Sequence, residues 1–482
     1  MTSGKVAALV LAAGLPLAAW GQVNITPVVV QGDSVAGVGA VTVINNLAVN
    51  NSGQWIVEVD TDNPNTDADE ALIKNGVLYL REGQALSLPT GGTLDGFDAV
   101  NINSAGNSGW NFFLAGTGGL STDSGMFYNG TLMFQESTIS TAAGFSANTP
   151  YIGFFESKIN DSNQVFVVAS IDDPAITSTV DRGLVRINYN PVAGTYTEVV
   201  LAKEGDVLPG MAAAVSDFGT TPQSFGFNNA GDAIYVVLSV GGTSDAVYRN
   251  LSAIAIEGGP SPVAGRNWSS LSGAATGLNN SGGYVHTGML AGDTATDLII
   301  IKNGAKFIQE GDAPPGVAGF TLTAFGTGQM VNISDSGHVL WFGDWNDPDT
   351  TRDTGLFLDN AMLLQEGVTQ VNGLTVQAIV SAQDGYAMSP NGRYVIVEVT
   401  LTDGVTPRAA ALLIDTLTGG GCYPNCDGST STPLLTANDF QCFLNAYAAG
   451  LAYANCDEST SNPLLTANDF QCFLNAYAGG CS

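Results

Sequence analysis

Two acidic loops hold the residue types that bind hard cations. Asp60, Asp62, Asp67 and Asp69 fall in "DTDNPNTDADE" (Asp60 to Glu70), and Asp344, Asn346, Asp347 and Asp349 in "GDWNDPDTTRD" (Gly343 to Asp353). Oxygen ligands at near-alternate positions suit calcium, which takes six to eight of them. A solvated acidic surface is the alternative, because the two loops share no fixed spacing. Trp345 lies inside the second loop, where an exposed indole would stack on a ligand. The remaining tryptophans near strands, Trp55, Trp110, Trp268 and Trp341, read as core. With only His286 and His338, and no cysteine before residue 422, zinc catalysis is disfavoured. Neither a Gly-x-Ser-x-Gly elbow nor a phosphate loop occurs. Paired acids for glycoside hydrolysis stay open, since carboxylates are plentiful and their separation is invisible in a sequence.

The elements that must position these loops repeat. A turn tetrapeptide recurs as Asn50-Asn51-Ser52-Gly53, Asn103-Ser104-Ala105-Gly106, Asn160-Asp161-Ser162-Asn163, Asn228-Asn229-Ala230-Gly231, Asn279-Asn280-Ser281-Gly282, Ser334-Asp335-Ser336-Gly337 and Ser389-Pro390-Asn391-Gly392. Each precedes an apolar run such as "QWIVEV" or "HVLWFG". A second marker keeps step: Gln31-Gly32, Glu82-Gly83, Glu136-Ser137, Glu204-Gly205, Glu257-Gly258, Glu310-Gly311 and Glu366-Gly367. Asn-Gly hairpin signals at Asn75, Asn129 and Asn303 divide each unit into four short strands, a to d. Four strands in each of seven units predict an all-β fold, a seven-bladed β-propeller.

The last unit is one strand short, ending at "RAAALLID" (Arg408 to Asp415), while the N-terminal "ITPVVVQGD" resembles a strand d. Ile25 to Val30 is therefore expected to complete blade seven and close the ring, removing an open sheet edge. Strand alternation puts the b–c and d–a connections at one end of the propeller, so carboxylates collect on one face. The repeated glutamates could ring the central opening; a carboxylate that recurs with the fold more commonly bonds backbone amides at its turn.

Charge and leader bound the setting. Met1 to Gly21 reads as a secretory signal peptide, with Lys5 before the apolar run Val6 to Trp20. The protein is expected to be secreted or held at a cell surface, with no membrane insertion. A net charge of −30, with 14 basic residues, argues against nucleic acid as a partner. Expected boundaries are residues 1–21 for the leader, 22–418 for the propeller and 419–482 for a tail.

That tail holds all six cysteines and repeats "LLTANDFQCFLNAYA" at Leu434 and Leu464. Clustering in an exported segment implies disulfides. Of fifteen connectivities the repeat favours Cys426 with Cys442 and Cys456 with Cys472, leaving Cys422 for Cys481. Thr436 with Asp439 has the form of a capping box, and Phe440, Phe443, Leu444 and Tyr447 form an amphipathic helical stripe, matched by Phe470, Phe473, Leu474 and Tyr477. On these residues the tail resembles the dockerin family, with two tandem EF-hand-like calcium loop-helix segments that dock exported proteins onto cohesin domains. The resemblance implies ligands at Asn425, Asp427, Ser429 and Asp439, and at Asn455, Asp457, Ser459 and Asp469. This chain departs from the pattern: the first ligand is Asn, the loop is longer, and Glu458 replaces a glycine. Calcium and a metal-free, disulfide-held knob are thus both open. The repeat units also resemble uncharacterised Asn-x-x-Gly tandem-repeat proteins of bacteria, a likeness that implies no activity.

Together these features point to a non-enzymatic exported adaptor that binds a ligand, possible polysaccharide included, by its acidic face and attaches to a cohesin-like or cell-surface partner by its tail. The rivals are a carbohydrate-active enzyme and a structural protein of the cell envelope. The enzyme needs carboxylates with raised pKa converging at the axis; the binder needs loops and an aromatic such as Trp345.

Overall fold

The computed structural model describes residues 23–176, 181–382 and 384–416, and in the tail residues 424, 426, 435–448, 454–456, 463 and 465–480. Met1 to Gln22, and with them the expected leader, lie outside the described residues. Among those described, the strands form seven antiparallel sheets, one per repeat unit, in a seven-bladed propeller. Blade 2 shows the plan most simply, with a at Thr93–Phe97, b at Gly109–Ala115, c at Ser124–Tyr128 and d at Thr131–Gln135. In blades 4 to 7 strand a is broken into two short pieces that pair with the same strand b, as in Val215–Phe218 and Phe225–Phe227. Strand order sets Asn24–Val30 at the outside of the seventh sheet beside Pro407–Asp415, and the Gln31 N–H donates to Ala409 O at 2.8 Å. No described helix is long and apolar enough to cross a membrane.

The apolar runs become strands because both faces of each sheet are covered. Strand b of blade 1, Trp55–Thr61, is buried at all but one position. The cores lie between neighbouring blades: Ile56 and Leu72 of blade 1 pack with Leu94, Trp110 and Phe127 of blade 2, and Ile396 and Ala411 of blade 7 with Val57 and Ile73 of blade 1. Trp55, Trp110, Trp268 and Trp341 are all core residues.

The turn tetrapeptide does two jobs at once. Asn103 Oδ1 accepts from Ala105 and Asn107 N–H at 3.1 and 2.8 Å, capping its own turn. Its Nδ2 donates to Asn160 O in the next blade at 3.1 Å. The same reach runs from Asn50 to Asn103 O, Asn160 to Asn228 O, Asn228 to Asn279 O and Asn279 to Ser334 O, at 2.7 to 3.2 Å. The Asp335 N–H donates to Pro390 O, and Asn391 donates from N and Nδ2 to Oδ1 and O of Asn51. The seventh turn thus bonds the first. The second position adds a parallel ladder, with backbone N–H groups of Ser104, Asp161, Asn229 and Asn280 each donating to the side chain one blade on.

The c–d turns use another asparagine. Asn75 and Asn303 sit at φ 50°, followed by glycines at 81° and 78°, the left-handed pair that a tight hairpin requires. Their Oδ1 atoms accept from the first residue of strand b, Trp55 and Tyr284, both at 2.8 Å. The repeated glutamates serve strand c: Glu82 accepts from Asp69 and Glu70 N–H, Glu136 from Asp123 and Ser124, and Glu310 from Leu298. They stay at their turns and leave the axis to other residues.

In the tail, Ala437–Ala448 (α1) and Ala467–Gly479 (α2) are the two described helices. Cys426–Cys442 and Cys456–Cys472 are bonded as expected. Cys422 and Cys481 lie outside the described residues. Phe443 and Phe473 stack at 4.0 Å and are fully buried. Asp439 and Asp469 accept from Thr436 and Thr466 N–H at 2.7 Å, completing the caps.

Replacing Asn103 by Ala removes two turn acceptors and the interblade donor together. Urea unfolding is expected to show a loss of about 2–4 kcal/mol. Asn65→Ala, in an exposed loop, costs below about 0.5 kcal/mol.

Candidate functional site: the axial channel

The first strands of all seven blades line one cavity of about 270 Å³ along the propeller axis. Its walls mix apolar side chains, Leu47, Ile102, Phe227, Leu278, Val331 and Tyr386 among them, with polar ones such as Asn101, Asn103 and Asn332. Three charged residues stand out in its depth: Glu156, Lys158 and Asp384.

Irregularities in the inner strands put them there. Pairing of the a and b strands shifts between Ile44 and Leu47 in blade 1 and between Phe154 and Ser157 in blade 3. Such bulges re-aim side chains. In blade 3 the bulge carries Glu156; in blade 1 it carries Asn45 and Asn46, which donate to Asp60 at 3.0 Å and Glu58 at 2.8 Å on strand b. Blade 7 has a full break here, in which Val380 N–H donates to Glu398 O and Glu398 N–H to Gly385 O, leaving Asp384 in the connecting turn. In blade 2 Asp98 follows strand a and accepts from Asn111 Nδ2 at 2.5 Å.

The electrostatics are one-sided. Burial pushes Glu58 up to about 8, against the hydrogen bond from Asn46, and the charges of Glu70, Asp60 and Asp384 add to the rise. Burial likewise lifts Asp384 and Glu398 to about 7 each. Glu156 is raised well above the usual carboxylate range, by burial first and then by Asp384 and Asp98. Against these stands Lys158, which burial pulls down while Asp384 and Glu156 hold it up. Its Nζ donates to Pro222 O at 2.5 Å and Phe225 O at 2.7 Å. Acceptors exceed donors throughout: Gln223 Oε1 and Asn332 Oδ1 in the cavity wall, and Asn111 Oδ1 beside Asp98, are buried with no hydrogen-bond partner among the described residues.

The residues singled out from the sequence lie elsewhere. Trp345 is corrected: it is 1% exposed, ends strand b of blade 6 and packs edge-on against Phe357 at 6.2 Å. Alternation along the strand puts it on the same face as Trp341, so it offers no indole to solvent. In the loops, Asp60 ends up in strand b and Asp62 Oδ1 accepts from Ala40 N–H at 2.7 Å. Asp69 donates its N–H to Glu82, and the Asp67 N–H turns toward Asn65. Asp344 accepts from Thr323, Asn346 from Thr321 N–H, and Asp347 and Asp349 both face Arg352 at 3.2 and 3.3 Å. Among the described residues no three His, Cys, Asp or Glu are grouped to hold a metal ion. Of the tail ligands, Asn425, Asp427, Ser429, Asp457 and Ser459 lie outside the described residues. His286 is buried, with its Nδ1 2.9 Å from Thr287 O, and is pushed down to about 4 by burial.

A family model described as a family of unknown function (DUF7453) matches residues 12–241, ending just after strand b of blade 4, Ala233–Ser239. No curated protein matches. Among solved structures the chain is similar to TolB from Acinetobacter baumannii, at 12% identity and TM-score 0.31, covering 76% of this chain and 78% of that one. A polysaccharide lyase, Uly1, is similar at 12% identity and TM-score 0.31, with 80% and 91% covered. Trypanosoma rangeli sialidase in complex with sialic acid matches at 8% identity and TM-score 0.28, over 91% of this chain and 61% of the sialidase. At these levels the likenesses carry no argument about chemistry.

Carboxyls whose pKa is raised in the folded state favour folding while protonated and lose that contribution as pH rises through the folded value. Stability is therefore expected to fall between about pH 5 and pH 8, the window spanned by the shift of Glu58. Glu58→Gln flattens that fall, raising the melting temperature at about pH 8 and leaving it nearly unchanged near pH 5, as thermal unfolding in matched buffers will read.

Proposed function

We propose that the protein is an exported, non-enzymatic binding protein whose ligand enters the axial channel, with the tail attaching it to a partner or a cell surface. The observation that carries this reading is the set of acceptors in the cavity wall left unpaired among the described residues, Glu156 and Asp384 together with Gln223 Oε1 and Asn332 Oδ1. Buried acceptors without donors cost free energy, and a hydrogen-bond-donating ligand would satisfy them. A cavity of about 270 Å³ is just below the usual range for small-molecule sites, so the ligand is small or is one end of a larger molecule.

The second reading, a carbohydrate-active enzyme, draws on the same carboxyls. A group held protonated near neutrality, as Asp384 is, can act as a general acid. In the tail, the dockerin-like resemblance supports a docking role and calcium at Asn425, Asp427, Ser429, Asp439 and their second-copy counterparts.

Titration calorimetry of the full chain against small sugars, amines and calcium separates these readings. Binding without turnover, weakened at least about tenfold in Glu156→Gln/Asp384→Asn, supports the binding role. Release of reducing ends from a polysaccharide, lost in the same variant, overturns it for the enzyme. Equal binding by both forms removes the channel from the reading.

A further inference from the structure

We infer that the ligand class of the channel is an organic ammonium ion, its charged nitrogen seated beside Glu156 and Asp384. The inference rests on the axial-site reading and adds the chemistry of the occupant. It begins from a charge count in a confined space. The charged groups lining that space are Glu156 and Lys158 of blade 3 and Asp384 of blade 7, with Asp161 and Asp335 at the turns; the charges of Asp98 and Glu58 act on Glu156 from outside the lining. Lys158 is the one cation in the group. Two of its three N–H donors are already given to Pro222 O and Phe225 O, and the ring of Phe225 lies 5.0 Å from its Nζ.

A second, independent observation concerns donors. Asn111 is 2% exposed, spends its Nδ2 on Asp98, and leaves its Oδ1 with no described partner. Gln223 Oε1 and Asn332 Oδ1 repeat the pattern around the wall. Glu156 and Asp384 line the cavity and accept no hydrogen bond from a described residue. A primary ammonium brings three N–H donors and a positive charge, which answers both deficits in one group. A neutral polyol answers only the first. A bare metal ion needs more ligands converging on a point than Glu156 and Asp384 supply, and among the described residues no three such groups are so placed. The apolar stretch of the cavity, from Leu47 to Leu278 and Val331, suits the methylene chain of an alkyl amine.

The sign of the pH dependence follows. A bound cation favours the ionised carboxylates, so binding releases protons wherever they are still protonated in the free protein. Affinity for the amine therefore rises with pH through the range near 7 to 8 where Asp384 and Glu58 titrate.

The test uses the intact chain and butane-1,4-diamine as probe, by calorimetry in two buffers of different ionisation enthalpy. Saturable binding about tenfold tighter near pH 8 than near pH 6, with protons released, supports the inference. So does loss of that binding in Glu156→Gln with Asp344→Asn, which lies outside the cavity lining, unchanged. Should the Glu156 variant fold poorly, the pH dependence and proton release of the native chain decide alone. Diamine binding that persists in a folded Glu156→Gln, or that tightens as pH falls, overturns it. If ribose binds in a Glu156-dependent way and the diamine does not, the ammonium inference fails and the axial site stands; if calcium does so, the occupant is a metal. If none of the three probes binds, the inference and the axial site fall together.

Discussion

Of the seven links between blades, Asp335 and Asn391 make two, and in the other five a single asparagine side chain holds a blade to the next. In the turn before strand b, its oxygen ties down two backbone N–H groups of its own turn and its nitrogen reaches the carbonyl one blade on. Both partners are buried, where an amide without partners is costly and a paired one is strengthened by the low dielectric. Because the second position adds a ladder of its own, the inner ends of the blades are fixed by a belt of hydrogen bonds as well as by the cores between sheets. Everything at the axis is referenced to that belt. The first strands hang from it, and the bulges and breaks a few residues upstream decide which side chains meet in the channel.

That division of labour explains the electrostatics. The belt consumes polar groups in matched pairs, so it is neutral in hydrogen-bond terms. The bulged level below it is less evenly matched: Glu58 and Asp98 take a donor each from Asn46 and Asn111, while Glu156 and Asp384, among the described residues, have only the nearby charge of Lys158. Outside, the acids of the loops are absorbed by local contacts, with Asp347 and Asp349 against Arg352 and Asp62 against a backbone N–H.

How much of this could be read from the residues differs by level. The blade count and the strand pattern were legible because the turn asparagines recur for steric reasons that act locally. The two described disulfides were legible from the repeat. The channel was not, because the meaning of a charged residue inside a strand depends on which way a bulge turns it. Yet there was a signal: Glu58 in "WIVEVD" and Glu398 in "YVIVEVT" interrupt apolar runs at the same place in their units, and "FFESKI" holds Glu156 and Lys158 in an inner strand. Trp345 misled in the opposite direction. Its acidic neighbours suggested a loop, while the strand runs on through it, and Gly343 between the two tryptophans is where a β-carbon would come within 2.9 Å of Trp341.

The belt also has a direction. The first-position asparagine amides and the second-position backbone N–H groups all donate the same way round, while Asn229 Nδ2 donates back to Asp161, and the bonds from Asn391 to Asn51 join the belt's end to its beginning. A structure with rotational sense but no privileged starting sheet is indifferent to where its polypeptide is cut. Circularly permuted chains, with new termini in any outer connection and the old ones linked, keep the same belt, and so lineages of such proteins are free to exchange, duplicate or shuffle whole sheets as interchangeable sectors.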